Sequence, residues 1–170
     1  FILSDLIRET AENLKEIHLK KPIELIVKID VQLDNPVLGD PFRIRQILTN
    51  LIGNAYKFTD KGFIKIEANV LGEVNGNYQT LIQVTDSGIG IKKEKQEHIF
   101  KEFTQAEEHM DKKYGGYGLG LTISKKLTEL LGGQISIQSE ENKGSTFSVE
   151  IPLEVSKEPL NSPRGINISP

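Results

Sequence analysis

The sequence predicts an α/β sandwich, with a mixed, largely antiparallel sheet of about five strands covered on one face by about three helices. Three observations predict it. Segments of helical and of strand period intermix along the chain, which excludes the all-α and all-β classes. The last four strand-like segments are joined in pairs by short turns, as hairpins are, and not by the long crossovers of a doubly wound parallel sheet. The length, 170 residues, suits one domain on a prior of roughly 150 residues per domain.

Each element has its own signal. A first helix runs to about Lys20, with Ser4 as N-cap and Leu6, Ile7, Leu14 and Ile17 on its inner side; Pro22 closes it. Ile23 to Asp30 alternates Leu25, Val27 and Ile29 and reads as a strand. Asp40 caps a second helix that has Pro41 at its first position, where a missing N–H costs nothing. Its apolar stripe is Ile44, Ile47, Leu48, Leu51, Ile52 and Ala55, and Gly62 marks its exit. Strands follow at Phe63 to Leu71 and Tyr78 to Asp86, around an Asn75-Gly76 turn. A third helix from about Leu119 to Leu131 carries Leu119, Ile123, Leu127 and Leu130 on one side and ends at Gly132-Gly133. Gln134 to Ser139 and Ser145 to Leu153 form the last hairpin, around residues 141–144.

Composition narrows the function. The absence of cysteine excludes disulfides, zinc–thiolate sites and thiol catalysis. No apolar run exceeds three residues, so nothing reads as a membrane span or signal peptide. A net charge of −3 supplies no general attraction to nucleic acid. The start at Phe1 and the Ser- and Pro-rich stretch from Lys157 predict a domain cut from a longer polypeptide. On this reading residues 1–153 are the domain and 154–170 a polar tail.

Three segments carry chemistry. On the second helix Arg43, Gln46, Asn50, Asn54 and Lys57 form one polar stripe beside the apolar one. It is either a solvated flank or a wall of amides and one ammonium facing an oxygen-rich ligand, such as magnesium and phosphate. Asp86-Ser87-Gly88-Ile89-Gly90 follows a strand in which Ile82, Val84 and Asp86 share a face, so the carboxylate ends an apolar row. A buried carboxylate needs a donor, and the segment reads as an ordinary Asx turn or as a ligand contact. Gly115-Gly116-Tyr117-Gly118-Leu119-Gly120 immediately precedes a helix, where free N–H groups favour anions. It follows no strand directly and so is not a dinucleotide fingerprint, and the chain has no GxxxxGK[ST] loop.

In this order, and with Gly144-Ser145-Thr146-Phe147 behind them, these segments resemble the ATP-binding domain of histidine kinases and the wider superfamily of gyrase, chaperone and mismatch-repair ATPases. Asn50 to Thr59 is similar to the family's N box, Asp86 to Gly90 to its G1 box, Phe100 to Phe103 to its F box and Gly116 to Gly120 to its G2 box. The resemblance implies that Asp86 accepts the adenine amino group and that Gly88 and Gly90 let the backbone lie against the purine. It implies apolar walls from Phe58 and Ile91, and Thr146 closing the pocket. Asn54 would hold magnesium, with Asn50 and Lys57 beside the phosphates and Gly116, Tyr117, Gly118, Leu119, Gly120 and Leu121 at the phosphate end. The stretch from Lys92 to Lys113, with twelve charged residues and no sustained period, would be a mobile ATP lid latched by Phe100 and Phe103. Tyr117 departs from the small hydroxyl residue usual in the G2 box.

Hydrolytic members of the superfamily carry a glutamate four residues before the magnesium asparagine. Here that position is Asn50, and an amide cannot act as a general base. The resemblance therefore implies ATP- and magnesium-dependent transfer to a histidine on a separate dimerisation domain of the same protein, since phosphoryl transfer relies on positioning and charge neutralisation. None of His18, His98 and His109 is followed by the acidic residue usual for that acceptor. A downstream receiver domain is a further implied partner, and the implied setting is the cytoplasmic portion of a membrane-bound bacterial sensor kinase. A superfamily ATPase and a degenerate nucleotide-binding docking module are the alternatives.

Overall fold

The computed structural model describes residues 1–101 and 119–160. The chain runs through α1 (Leu3–Ile17), β1 (Ile23–Ile29), a 3-10 turn (Val31–Asp34), β2 (Val37–Leu38) and α2 (Pro41–Phe58). It continues through β3 (Gly62–Val74), β4 (Asn77–Asp86), the single turn α3 (Lys93–Gln96), α4 (Leu119–Leu130), β5 (Gln134–Glu140) and β6 (Gly144–Val155). The six strands form one sheet in the order β1-β3-β4-β6-β2, with β5 also paired to β6. β1 lies parallel to β3, and the remaining pairings are antiparallel. β4 occupies one side of β6, so β5 and β2 share the other: Ser139 pairs with Ser145 and Val37 with Val155.

Strand period decides which face is covered. Ile64, Ile66 and Ala68 of β3, Ile82 and Val84 of β4, and Phe147, Val149, Ile151 and Leu153 of β6 are buried in the core with the apolar stripes of α1 and α2. All six residues of the expected α2 stripe are buried. α2 begins as predicted, with Pro41 at its start and the Asp40 carboxylate accepting the Arg43 N–H at 3.1 Å. Its other end is closed from outside by Lys21, whose Nζ donates to the carbonyls of Tyr56 (2.6 Å) and Thr59 (3.1 Å). A cation there also complements the helix dipole. His18 closes α1, donating from Nδ1 to the Leu14 carbonyl at 2.8 Å and stacking on Tyr56 with centroids 4.7 Å apart. Asn75 and Gly76 both take positive φ, as the tight β3–β4 turn needs.

Several expectations need correction. Ser4 does not cap α1: Ile2 is the N-cap, and Ser4 lies buried in the first turn with its hydroxyl unpaired. α1 stops at Ile17, which is 73% exposed instead of facing inward. α2 ends at Phe58, and Gly62 opens β3 instead of closing the helix. The sheet has a sixth strand because two residues of β2 pair with the extreme end of β6, which runs to Val155. In α4 Ile123 and Leu130 face outward, the latter 66% exposed, and the buried positions include the hydroxyls Thr122, Ser124 and Thr128. That helix is apolar on more than one side, and the sheet and α2 select the side that carries the hydroxyls. Among the described residues no helix is long and apolar enough to cross a membrane.

Candidate functional site

Asp86 ends β4, paired with Ile64 on β3 and Ser145 on β6. Because its face is that of Ile82 and Val84, its side chain comes out buried, at 6% exposure. The Gly88 N–H donates to Oδ1 at 2.9 Å. No cation pairs with this carboxylate among the described residues. Burial pushes its pKa from 3.8 up to about 6, and the Gly88 and Ser145 backbone and the Thr59 hydroxyl pull it down only in part. The Thr59 hydroxyl is itself buried and reaches no partner in good hydrogen-bond geometry. A carboxyl that retains bonding capacity in a dry position calls for a polar ligand.

The loop after Asp86 is folded back by the protein itself. Ile89 N–H donates to the Phe58 carbonyl at 3.2 Å, and Ile89 in turn accepts the Asn142 N–H at 2.6 Å from the β5–β6 turn. A Cβ on Gly88 would stand 2.3 Å from the Phe58 carbonyl oxygen. One on Gly90, whose φ is +67°, would stand 2.0 Å from the Glu140 carbonyl oxygen. Both glycines are thus required by contacts within the protein. Ile91 follows, partly buried against the core, with its N–H on Ser139 Oγ at 2.8 Å.

The polar stripe of α2 divides along its length. Arg43 and Gln46 are solvated, whereas Asn50, Asn54 and Lys57 are half-buried. The Asn50 Nδ2 donates to the Gly120 carbonyl (3.2 Å) and to Ser124 Oγ (3.3 Å), which ties the first turn of α4 to α2. Gly120 accepts only, so the amide nitrogen must face it and the amide oxygen is turned away. The Asn54 side chain, one turn on, makes no hydrogen bond among the described residues. The Lys57 ammonium lies 5.1 Å from the centre of the half-buried Phe58 ring. A second link joins Thr122 Oγ1 to the Phe100 carbonyl at 3.2 Å, while Phe100 meets Phe147 edge-on and Ile99 is fully in the core. The C-terminal end of α2 thus meets the loop after β4, and Asn50 meets the first turn of α4.

These positions fall within a matched domain. The family model described as "Histidine kinase-, DNA gyrase B-, and HSP90-like ATPase" covers residues 39–155. The chain belongs to this ATPase family. It is 43% identical over 143 residues to hybrid signal transduction histidine kinase L of Dictyostelium discoideum, across 84% of this chain and 8% of that protein. It is 42% identical over 135 residues to the signal transduction histidine-protein kinase BarA of Escherichia coli K12, across 79% of this chain and 15% of that protein. The chain thus spans only a small part of these relatives. Among solved structures, the catalytic domain of histidine kinase ThkA aligns with a TM-score of 0.69 at 32% identity, over 89% of this chain and 92% of that one. Full-length ShkA in complex with AMPPNP aligns with a TM-score of 0.78 at 31% identity, over 94% of this chain and 32% of that one.

Thr146 does not share the Asp86 face. It pairs with Thr85, the two hydroxyls 3.0 Å apart, on the open side of the sheet, and Ser145 stands beside Asp86 instead. Thr85 and Thr146 line a groove of about 330 Å³ together with Asp86, Ser139 and Ser145. Leu121 packs partly buried against the core, and Leu119 begins α4. Gly116, Tyr117, Gly118, Phe103 and His109 lie outside the described residues. Sequence reasoning missed Thr59, Ser124, Ser139 and Ser145, hydroxyl residues that bond or face the junction from beside the expected positions.

Proposed function

We propose that this chain binds ATP and magnesium and donates the γ-phosphate to a histidine on a separate dimerisation domain of the same protein. The observation that carries the reading is the Asp86 carboxyl, buried with no cation among the described residues at the end of β4, beside the C-terminal end of α2. Adenine offers it an amino group, and guanine at the corresponding position offers only an acceptor. Asn54, whose side chain makes no hydrogen bond among the described residues, is suited to hold magnesium through its amide oxygen. Asn50 and Lys57 flank it, Lys57 as a point charge for phosphate. Gly116, Tyr117, Gly118, Leu119, Gly120 and Leu121 would serve the phosphate end. Magnesium, when bound, neutralises phosphate charge for an in-line transfer.

Transfer is favoured over hydrolysis by Asn50. Its nitrogen is spent on α4, and a carboxamide cannot abstract a proton from water. A receiver domain would take the phosphoryl group onward. Titrating the chain with ATP, with and without magnesium, and then supplying a histidine-bearing helical hairpin tests the reading. Labelled hairpin histidine supports it. Steady ADP release without acceptor points to an ATPase, and ATP binding without labelling points to a docking module.

A further inference from the structure

Among the described residues β1 pairs with β3 alone, which makes it an edge strand. Two bonds at its ends fix which way its backbone turns. The Gly62 N–H donates to the Pro22 carbonyl (3.3 Å) and the Asp30 N–H to the Ala68 carbonyl (2.8 Å). Even-numbered residues therefore face β3, and by the strand's period of two Leu25, Val27 and Ile29 turn their N–H and C=O groups outward. Such an edge is a template for another strand unless proline, a bulge or a repelling charge blunts it. Ile23–Ile29 has no proline, and its register with β3 runs without a bulge. Its apolar face is also unsealed. Ile23, Leu25, Val27 and Ile29 remain partly exposed, whereas Ile64, Ile66 and Ala68 beside them on β3 are 0% exposed. On the opposite face Glu24 and Lys28 are exposed, symmetric about Ile26, and without an ion-pair partner among the described residues.

We propose that the β1 edge is a self-docking surface, on which two copies of this chain pair their β1 strands antiparallel across a two-fold axis at Ile26. The charge pattern selects both the partner and the register. Pairing about Ile26 sets Glu24 of one copy opposite Lys28 of the second, and the symmetry makes the same ion pair twice. Two charges of one sign at these positions would repel; opposite signs make the strand complementary to itself. The backbone agrees. This register joins Leu25 to Val27 as a hydrogen-bonded pair, which uses the outward N–H and C=O groups. It leaves Glu24, Ile26 and Lys28 in the non-hydrogen-bonded pairs, whose side chains stand closest. A seven-residue edge falls short of the roughly 1,200 Å² of a stable complex, so the contact is weak between free chains and gains when two copies are tethered. No group placed at the nucleotide site takes part, and the inference is independent of that reading.

The chain has no cysteine, so single introduced cysteines report the register. Ile26→Cys brings two Cα atoms to about 4.5 Å across the axis, within the range of about 4.4–6.8 Å that a disulfide spans. Glu24→Cys leaves them about 13 Å apart. Oxidation of the full 170-residue chain at high concentration and low salt should cross-link Ile26→Cys well ahead of Glu24→Cys. Adding Lys28→Glu to Ile26→Cys opposes two like-charge pairs and should slow cross-linking by about five- to thirtyfold. Adding Glu24→Lys as well should restore it. Sedimentation equilibrium of the wild type, Lys28→Glu and the Glu24→Lys/Lys28→Glu double variant should show the same loss and recovery with no cysteine present, and melting curves establish that each variant is folded. Equal cross-linking of Ile26→Cys and Glu24→Cys, indifference to Lys28→Glu, or no recovery in the double variant would overturn the proposal.

Discussion

Replacing Asp86 with asparagine should stabilise the free domain and weaken its hold on ATP. The carboxyl titrates at about 6 in the folded chain against 3.8 in its ordinary state. Below both values each state carries the proton, and the group contributes nothing. As pH rises through 3.8 the unfolded chain releases its proton while the folded one retains it, so folding loses stability until about pH 6. The total is about 3 kcal/mol, on the order of the cost of ionising one buried carboxyl. Asparagine keeps an acceptor for the Gly88 N–H and has no such titration. Urea unfolding curves for the two proteins should nearly coincide at pH 4 and separate by about 2–3 kcal/mol at pH 7.5, the variant being higher. Calorimetry should register a 10- to 150-fold weaker ATP complex, since a charge-assisted hydrogen bond is worth about 1.5–3 kcal/mol. A stability difference independent of pH would refute the buried-charge argument, and an unchanged dissociation constant would remove Asp86 from the site.

Other expectations are shorter to state. Asn54→Ala should abolish the magnesium dependence of ATP binding while leaving adenosine affinity intact, and equal losses for both ligands would contradict the assignment. Asn50→Asp places a carboxylate against the Gly120 carbonyl. Hydrogen exchange in the first turn of α4 should accelerate, with about 1–3 kcal/mol of local protection lost. Gly90→Ala puts a side chain on a left-handed residue against the Glu140 carbonyl; it should lower the melting temperature, and an unchanged temperature would mean that the β5–β6 turn yields. Lys21→Met keeps the aliphatic stem but leaves the Tyr56 and Thr59 carbonyls without their ammonium. About 1–2 kcal/mol of stability should follow it in chemical denaturation.

Much of the fold was legible because strong periodicity and turn chemistry agreed. α2, the β3–β4 hairpin and the Asp40-Pro41 start all came out where their residues indicated. β2 did not, because two residues pairing with a distant strand end leave no local pattern. The side of the sheet taken by Thr146 was legible and overlooked. Phe147, Val149, Ile151 and Leu153 alternate inward, which puts Ser145 with them and Thr146 opposite. The inner face of α4 was not legible, since hydroxyls at Thr122, Ser124 and Thr128 compete with leucines on the neighbouring faces. At the site, the sequence indicated which residue types gather, but the register of β6 decided which of Ser145 and Thr146 meets Asp86.

The parallel pairing of β1 with β3 has a kinetic side. The β3–β4 and β5–β6 ladders each close across a few turn residues, so both can nucleate within microseconds of collapse. β1 reaches its partner only after the intervening 32 residues, α2 among them, have been laid across the nascent hairpin. Docking of β1 and α1 is therefore the late, entropically costly event of assembly. Nascent chains that stall before it would present the bare edge of β3 to their neighbours, where aggregation would begin.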